Sequence, residues 1–545
     1  MKKNKIYATA LILLCGAGSV LTSCVDTDSS LVDFGPQLNT PNDTIYSFMG
    51  VMNKMQKIAD RTVVLGEVRG DLVRTMDAAT VDLKAIADFT ATADNRWNHP
   101  EDYYAVIQNC NYFLAHADTT LMIQGEKIFL PEYAAIKAFR AWTYLQLAIH
   151  YGKVPFYTVP LMTEAEADPA LYPRYGVQEI CEYFIKDLAP YTDTKYPSYV
   201  NNSLCIPVRL LLGDLCLWAG RYKEAATYYH AFLTNRNATI WPAQPYITAS
   251  WTDDKFEHSP SYSMIVNPIS YILLQTSEYD GIVSELDDVF TSTTDNRYYY
   301  QVTASSALTE LSRSQRFVMV VNDPVTMVPD TISPPEDKVY LDPNMQGDLR
   351  LYACQTNWKA NVDGYNDMEQ SILKLDAQRI TLYRSGAVYL RMAEAYNRAG
   401  FPESAFAILK YGLYRETIDK YISPEEVARA GELLNWNTNY FTRDNTTGIH
   451  SAGCGRANAD KTYVIPELAS REDSILFVEE KICDEMALEL VYEGHRFADL
   501  QRISLHRGDP EFLARKIAGR NGRDAFDNEL YERLRHTENW YLPLE

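Results

Sequence analysis

Apolar side chains recur at three- and four-residue intervals along several long stretches of the chain, and each such stretch predicts an amphipathic helix. In Tyr383 to Leu409, Val388, Tyr389, Met392, Ala393, Tyr396 and Ala399 share one helical face. Gly400 then ends that helix, since glycine takes the left-handed conformation a helix terminus needs, and Pro402 suits the first turn of a second helix carrying Ala405, Phe406 and Leu409. The pair predicts two antiparallel helices joined by a very short turn. Asn42 to Asp60 opens on an Asn/Asp/Thr cap and continues with Ile45, Phe48, Met49, Met52 and Met55, another helix. Further helices are predicted over Glu101 to Ala117 and over Glu132 to His150, the latter stopped by Tyr151-Gly152 and Val154-Pro155. Phe477 to Leu505 predicts one last long helix, with Met486, Leu490, Val491, Phe497 and Leu500 as its buried stripe. Two regions lack this periodicity. Arg61 to His99 places polar groups around Trp97 just before a strong helix, and such loops commonly carry binding residues. Asn235 to Asp376 is rich in Ser, Thr, Asn, Asp, Pro and Tyr; alternation at Arg316 to Val321 and breaks at Pro324, Pro329, Pro334 and Pro335 predict irregular structure with a small hairpin packed on the helices.

The two clearest hairpins share a register. Leu212, Gly213 and Cys216 precede Gly220, and Tyr222, Ala225 and Tyr229 follow it; around Gly400, Met392, Ala393 and Tyr396 precede and Ala405 and Leu409 follow at the same offsets. These offsets resemble the tetratricopeptide pattern, in which small residues let two helices cross closely. The expected fold class is mainly α: a tetratricopeptide-like helical-repeat scaffold with an irregular, loop-rich ligand-binding half containing short strands.

Charge and targeting narrow the function. The 545 residues carry a net charge of −21, which argues against a nucleic-acid partner. Tyrosine is abundant at 39, with 8 Trp, giving rings that pack on one side and hydrogen-bond on the other. Met1 to Lys5 is basic and Ile6 to Val20 is an apolar run too short to span a bilayer, the form of a secretory signal. Leu21-Thr22-Ser23-Cys24 resembles a bacterial lipobox, which would make Cys24 the lipidated first residue of the mature chain, followed by a polar, acidic tether. Residues 1–23 are thus expected as signal peptide, 24–40 as lipidated cysteine and tether, and 41–545 as one unit made of an N-terminal helical part (41–234), an irregular insertion (235–376) and a C-terminal helical part (377–545). The other cysteines, Cys110, Cys181, Cys205, Cys216, Cys354, Cys454 and Cys483, are odd in number and lack CxxC pairs, so buried thiols are expected rather than disulfides or zinc. Neither a metal nor a cofactor is expected. Gly453-Cys454-Gly455-Arg456 lacks the Lys-Ser/Thr of a phosphate loop, and Asn361-Val362-Asp363-Gly364 is only part of a calcium-loop pattern.

The last predicted helix carries Glu489, Leu490, Glu493, Gly494, His495, Arg496, Asp499, Leu500 and Arg502, which resemble the ELxxEGHRxxDLxR signature of the SusD/RagB family of Bacteroidetes outer-membrane nutrient-binding lipoproteins. Ala138-Phe139-Arg140-Ala141 with Tyr151-Gly152-Lys153-Val154-Pro155 is similar to the RAxxYxxLxxxYGxVP region of that family, Tyr383 to Gly400 to its LYRxAEVYLxxAEAxNxxG region, and Trp540 to Leu544 to its closing WYLPLP segment. Phe497-Ala498 stands where tryptophan-phenylalanine is usual, and the family's Asn-rich tail is missing after Glu545. The resemblance implies an outer-membrane, lipid-anchored, cell-surface protein that binds nutrient oligosaccharide, or peptide in the RagB branch, and delivers it to a SusC-like TonB-dependent transporter contacted by the repeat helices.

An enzyme is the competing expectation. Glu489, Glu493, Asp499 and His495 could be taken for the acid/base set that glycosidic cleavage needs. Alternating signs at i,i+3 and i,i+4 on a regular helix read instead as a salt-bridged structural element, so no catalytic residue is expected. Sugar sites use flat aromatic faces with Asp, Asn and Arg on the hydroxyls. The candidates are Trp97 with Asp71, Arg74 and Asn98, and a second group of Tyr298, Tyr299 and Trp358 with Asn357; the resemblance, which implies binding residues from a loop before an early helix and from the irregular half, favours both regions.

Overall fold

The computed structural model describes residues 38, 40–239, 250–252, 255–257, 268–274, 283–291, 300–322, 326–332, 347–362, 365–372, 374–375, 378–436, 439–454 and 458–544. Cys24, Tyr298, Tyr299, Asp363, Gly364, Gly455, Arg456, Pro324, Pro334 and Pro335 lie outside them. The fold is mainly helical.

The longest helix, α1, runs Pro41–Glu67, capped by the Thr40 side chain on the Asp43 N–H. It continues past Asp60 through the unbroken apolar run Val63, Val64 and Leu65, all buried. Then come α2 (Pro100–His116), α3 (Leu130–Tyr151, closed by Gly152 at φ 74°) and α4 (Val177–Leu188). The two hairpins read from periodicity are α5 (Val208–Trp218) with α6 (Tyr222–Arg236), and α7 (Ser385–Arg398) with α8 (Pro402–Lys410). Their turn glycines take φ 71° at Gly220 and 87° at Gly400. Close crossing is real at Gly213, where a Cβ would sit 2.5 Å from the Tyr229 ring. Each helix packs on its predecessor from α1 to α6, and α6 packs directly on α7. The two units in register are therefore neighbours in space, although roughly 150 residues separate them in sequence.

Tyr383 itself lies on a strand, Arg379–Arg384, which pairs antiparallel with Pro268–Leu273. A second ladder joins Val73–Thr75 to Val302–Ala304. These two ladders sew the insertion onto the scaffold. Within it, among the described residues, three hairpins pair Ser250–Thr252 with Lys255–Glu257, Met319–Asn322 with Pro329–Ile332, and Gln355–Val362 with Tyr365–Ile372, so the single expected hairpin is an undercount.

The long last helix is also corrected. It is two: α9 (Arg471–Leu490) and α10 (Arg496–Arg507), split by a turn in which Tyr492 and Gly494 have φ 66° and 81°. The turn exists because α1 presses on its backbone. A Cβ on Gly66 would lie 1.9 Å from the Gly494 carbonyl oxygen, and one on Gly494 would lie 2.3 Å from that of Thr62. The closing segment docks on the same core, with Trp540 fully buried and the Leu542 N–H donating to the His150 carbonyl at 2.9 Å. All seven described cysteines are buried and free.

Candidate functional site

A cleft of about 420 Å³ opens where the last turns of α1, the loop before α2 and the segment 283–285 meet. From α1 come Gln56, Lys57, Asp60 and Arg61, whose spacing puts them on one face. The loop supplies Arg96, Trp97 and His99, and the first turn of α2 supplies Asp102. Leu274 and the exposed Val283 form an apolar wall.

Local chemistry sets this loop. The Asn95 side chain donates to the Asp82 carbonyl at 2.9 Å while accepting from the Trp97 N–H at 2.9 Å, a short turn of the kind asparagine makes. Asn98 donates through Nδ2 to the carbonyls of Thr92 and Pro543 at 3.2 and 2.9 Å. The Trp97 ring is held with 5% of its surface exposed, and its Nε1–H has no partner. Arg96 lies over that ring, Cζ 5.5 Å from the centroid, and pairs with Glu285 at 2.5 Å. Arg61 pairs with Asp102 at 2.7 Å and keeps Nη1 unpartnered. Asp60 accepts from Ser284 Oγ at 2.9 Å and the Glu285 N–H at 2.7 Å; burial nevertheless pushes its carboxyl above the usual range. The cleft thus joins one large ring to donors and acceptors of both signs.

Of the first candidate group, only Trp97 lines this cleft. Asp71 is 4% exposed and accepts from Arg496 at 2.5 and 2.9 Å; burial opposes its charge, but the guanidinium holds the carboxyl below the usual range. Asn98 shapes the loop from beneath, and Arg74 sits opposite Thr303 in the ladder. In the second group, Asn357 and Trp358 lie on a hairpin strand opposite Gln370 and Glu369. Lys57, Arg61, Arg96, His99 and Glu285 were not picked out from sequence. The one signal for the first two was the doubled polar pattern Gln56-Lys57 and Asp60-Arg61, four residues apart on one helix.

The acid/base set has a different setting. Glu489 and Glu493 have side chains 2% and 5% exposed and are clamped by Arg384 at 2.7 Å each, with Arg350 on Glu489 at 3.2 Å and Lys374 on Glu493 at 2.5 Å. Glu493 is held down at about 2, because those cations outweigh its burial. His495 is pushed down to about 4 by burial and by Arg391, which lies 3.3 Å away. Asp499 pairs with Arg502, which also holds Glu394 at 2.6 Å. The adjoining cavity, about 60 Å³, has room for a few waters and not for a sugar ring. Among the described residues, no three His, Cys, Asp or Glu side chains are grouped to hold a metal ion.

The fold is similar to that of a SusD superfamily protein of Bacteroides vulgatus ATCC 8482, 12% identical with TM-score 0.56, covering 91% of this chain and 92% of that one. A SusD superfamily protein of Bacteroides thetaiotaomicron VPI-5482 is 16% identical with TM-score 0.55, covering 93% and 96%. A third similar structure, a SusD-like carbohydrate binding protein of Bacteroides fragilis NCTC 9343, is 14% identical with TM-score 0.54, covering 87% and 88%. No family model matches the chain, and neither does any curated protein.

Proposed function

We propose that this chain, which has the SusD-like fold, is a cell-surface lipoprotein that binds nutrient oligosaccharide in the Trp97 cleft and delivers it to a SusC-like TonB-dependent outer-membrane transporter. The observation that carries the binding step is the cleft itself: about 420 Å³ lined by Lys57, Arg61, Arg96, His99 and Glu285, polar groups for the hydroxyls of a sugar, beside the buried Trp97 ring, whose Nε1–H has no partner. The carbohydrate binding named for the Bacteroides fragilis neighbour supports the ligand class. The lipobox at Cys24 supports the anchor, and the transporter partnership rests on the signature resemblance. Binding without cleavage is the expected chemistry, because Glu489 and Glu493 are both engaged by buried cations.

Calorimetry with malto-, cello-, xylo- and manno-oligosaccharides tests this. One series binds, no shorter products form, and Trp97→Ala lowers affinity about tenfold, the loss of one well-packed aromatic contact with its cleft. Unchanged affinity in Trp97→Ala would remove this cleft as the site. Product formation abolished by Glu493→Ala would replace binding by hydrolysis, and binding of peptides in place of sugars would favour the RagB-like alternative. Cys24→Ser is expected to move the protein from the membrane fraction to the soluble one on cell fractionation; membrane association unchanged by this substitution would refute the anchor.

A further inference from the structure

A second hollow, about 400 Å³, lies on the other side of the first turn of α2. His99 and Asp102 line the Trp97 cleft, while Pro100, Glu101 and Tyr104 line this groove, so one helical turn forms the wall between them. His99 Nδ1 and Glu101 Oε1 meet at 2.7 Å across that ridge. The two hollows are therefore immediate neighbours.

Their chemistry differs. The groove is walled by three tyrosines. Tyr104 and Tyr157 are nearly parallel, with centroids 5.9 Å apart and planes at 10°, and Tyr172 lies 5.0 Å from Tyr157. Pro155, Leu161 and Leu544 close the apolar lining. Two of the ring hydroxyls are already used: Tyr104 donates to the Pro155 carbonyl at 3.0 Å and Tyr172 to the Glu166 carbonyl at 2.7 Å. Those bonds lock the rings, so that ring faces dominate the lining, with Glu101 and Arg174 as its charged groups. Rigid ring faces stack against C–H surfaces and tolerate variation in hydroxyl pattern.

We infer that the groove is an extension subsite for the same oligosaccharide chain: a sugar unit held by Trp97 and the charged groups of the first cleft continues over the His99–Glu101 ridge, and later units stack on Tyr104, Tyr157 and Tyr172. The inference rests on the carbohydrate reading above. It follows from continuity of the two hollows around one helical turn and from the division of labour between them, polar recognition in one and face stacking in the other.

The test is length dependence. In calorimetry with the four oligosaccharide series from dimers to heptamers, the affinity of the full mature protein for the binding series rises about tenfold with length. Tyr172→Ala flattens that rise, whereas Trp97→Ala weakens every length alike. Because Tyr172 also packs on Tyr157, Ala167→Arg is the second variant: Ala167 is exposed at the groove, and a long side chain there fills the hollow without removing a packed ring. A rise that persists in both variants overturns the subsite while leaving the Trp97 cleft standing. If none of the four series binds at any length while peptides do, the carbohydrate reading and the extension fall together, and the groove belongs to a peptide.

Discussion

Replacing Arg350 by methionine is expected to destabilise the fold by about 3–5 kcal/mol, the cost of leaving buried carboxylates without their cation. Arg350 is 1% exposed and reaches Asp348 at 2.7 Å, Glu485 at 2.9 Å and Glu489 at 3.2 Å. Methionine matches the stem but offers no charge, so three acids would face one another with Arg384 and His450 as the remaining partners of Glu489 and Glu485. The pH dependence identifies the cause. Burial alone would raise Glu485, but Arg350 and His450 hold it down at about 2. A carboxyl lowered from 4.5 contributes stability that is present above 4.5 and lost as pH falls toward 2. Without Arg350 burial prevails, Glu485 rises, and the variant sheds its penalty by protonation. Urea unfolding should therefore show a gap to wild type that is widest near neutral pH and narrows at about pH 5. A gap that is constant across this range would mean that packing, and not charge, makes the contact matter.

This cluster explains the signature residues. Asp348, Arg350 and Lys374 belong to the insertion, Glu485, Glu489 and Glu493 to the end of α9 and its turn, and Arg384 to the strand before α7. Their pairing welds the loop-rich half to the repeat scaffold at a point with almost no solvent. Charge alternation predicted an ionic element correctly, but it predicted the wrong partners. Glu489 meets Arg384 and Arg350 across 105 and 139 residues, and within the signature the i,i+3 pair Arg502–Asp499 is the local one among the described contacts. Spacing along a helix reports neighbours on that helix only. The same limit hid the break at Tyr492 to Gly494, since the steric demand that bends the chain comes from α1.

The repeat hairpins were legible because their determinants are local: an apolar stripe, a glycine free to take positive φ, a small residue at the crossing. The candidate cleft was legible only where one residue stood out. Trp97 is a lone large ring in a polar loop, and it lines the cleft. Asp71 and Asn98, equally polar and nearby, face inward to Arg496 and to the Pro543 carbonyl, and nothing in their own sequence tells a buried partner from a ligand. Lys57 and Arg61 have the opposite history: on a helix they read as an ordinary solvated face. Their place in the cleft comes from Ser284 and Glu285, which arrive across it from the insertion.

Glu67 gives the second large effect, with the opposite sign. At the end of α1 its Oε1 accepts from the Gly494 N–H at 2.8 Å, holding the turn between α9 and α10, while Oε2 is buried without a partner. Burial dominates and pushes the carboxyl from 4.5 up to about 7, against the opposing pull of the Gly494 and Tyr492 amides. An acid raised in this way contributes stability that is fully present below 4.5 and lost as pH rises through about 7. Above that range the folded protein bears a buried charge costing about 3 kcal/mol, set against a hydrogen bond the turn requires. Glu67→Gln keeps the acceptor and removes the charge. Less the burial of an unpaired amide group, it should stabilise the protein by on the order of 2 kcal/mol at about pH 8 and be neutral or slightly destabilising at about pH 4. Thermal or urea unfolding across that range would show wild-type stability falling relative to the variant as pH rises through 7. Glu67→Ala separates the two roles: it removes the charge and the acceptor together, strands the Gly494 amide, and should be less stable than Glu67→Gln at every pH. If Glu67→Gln instead matches wild type at about pH 8, the carboxylate is not the source of the cost; if Glu67→Ala matches Glu67→Gln at every pH, Gly494 is held by backbone geometry alone.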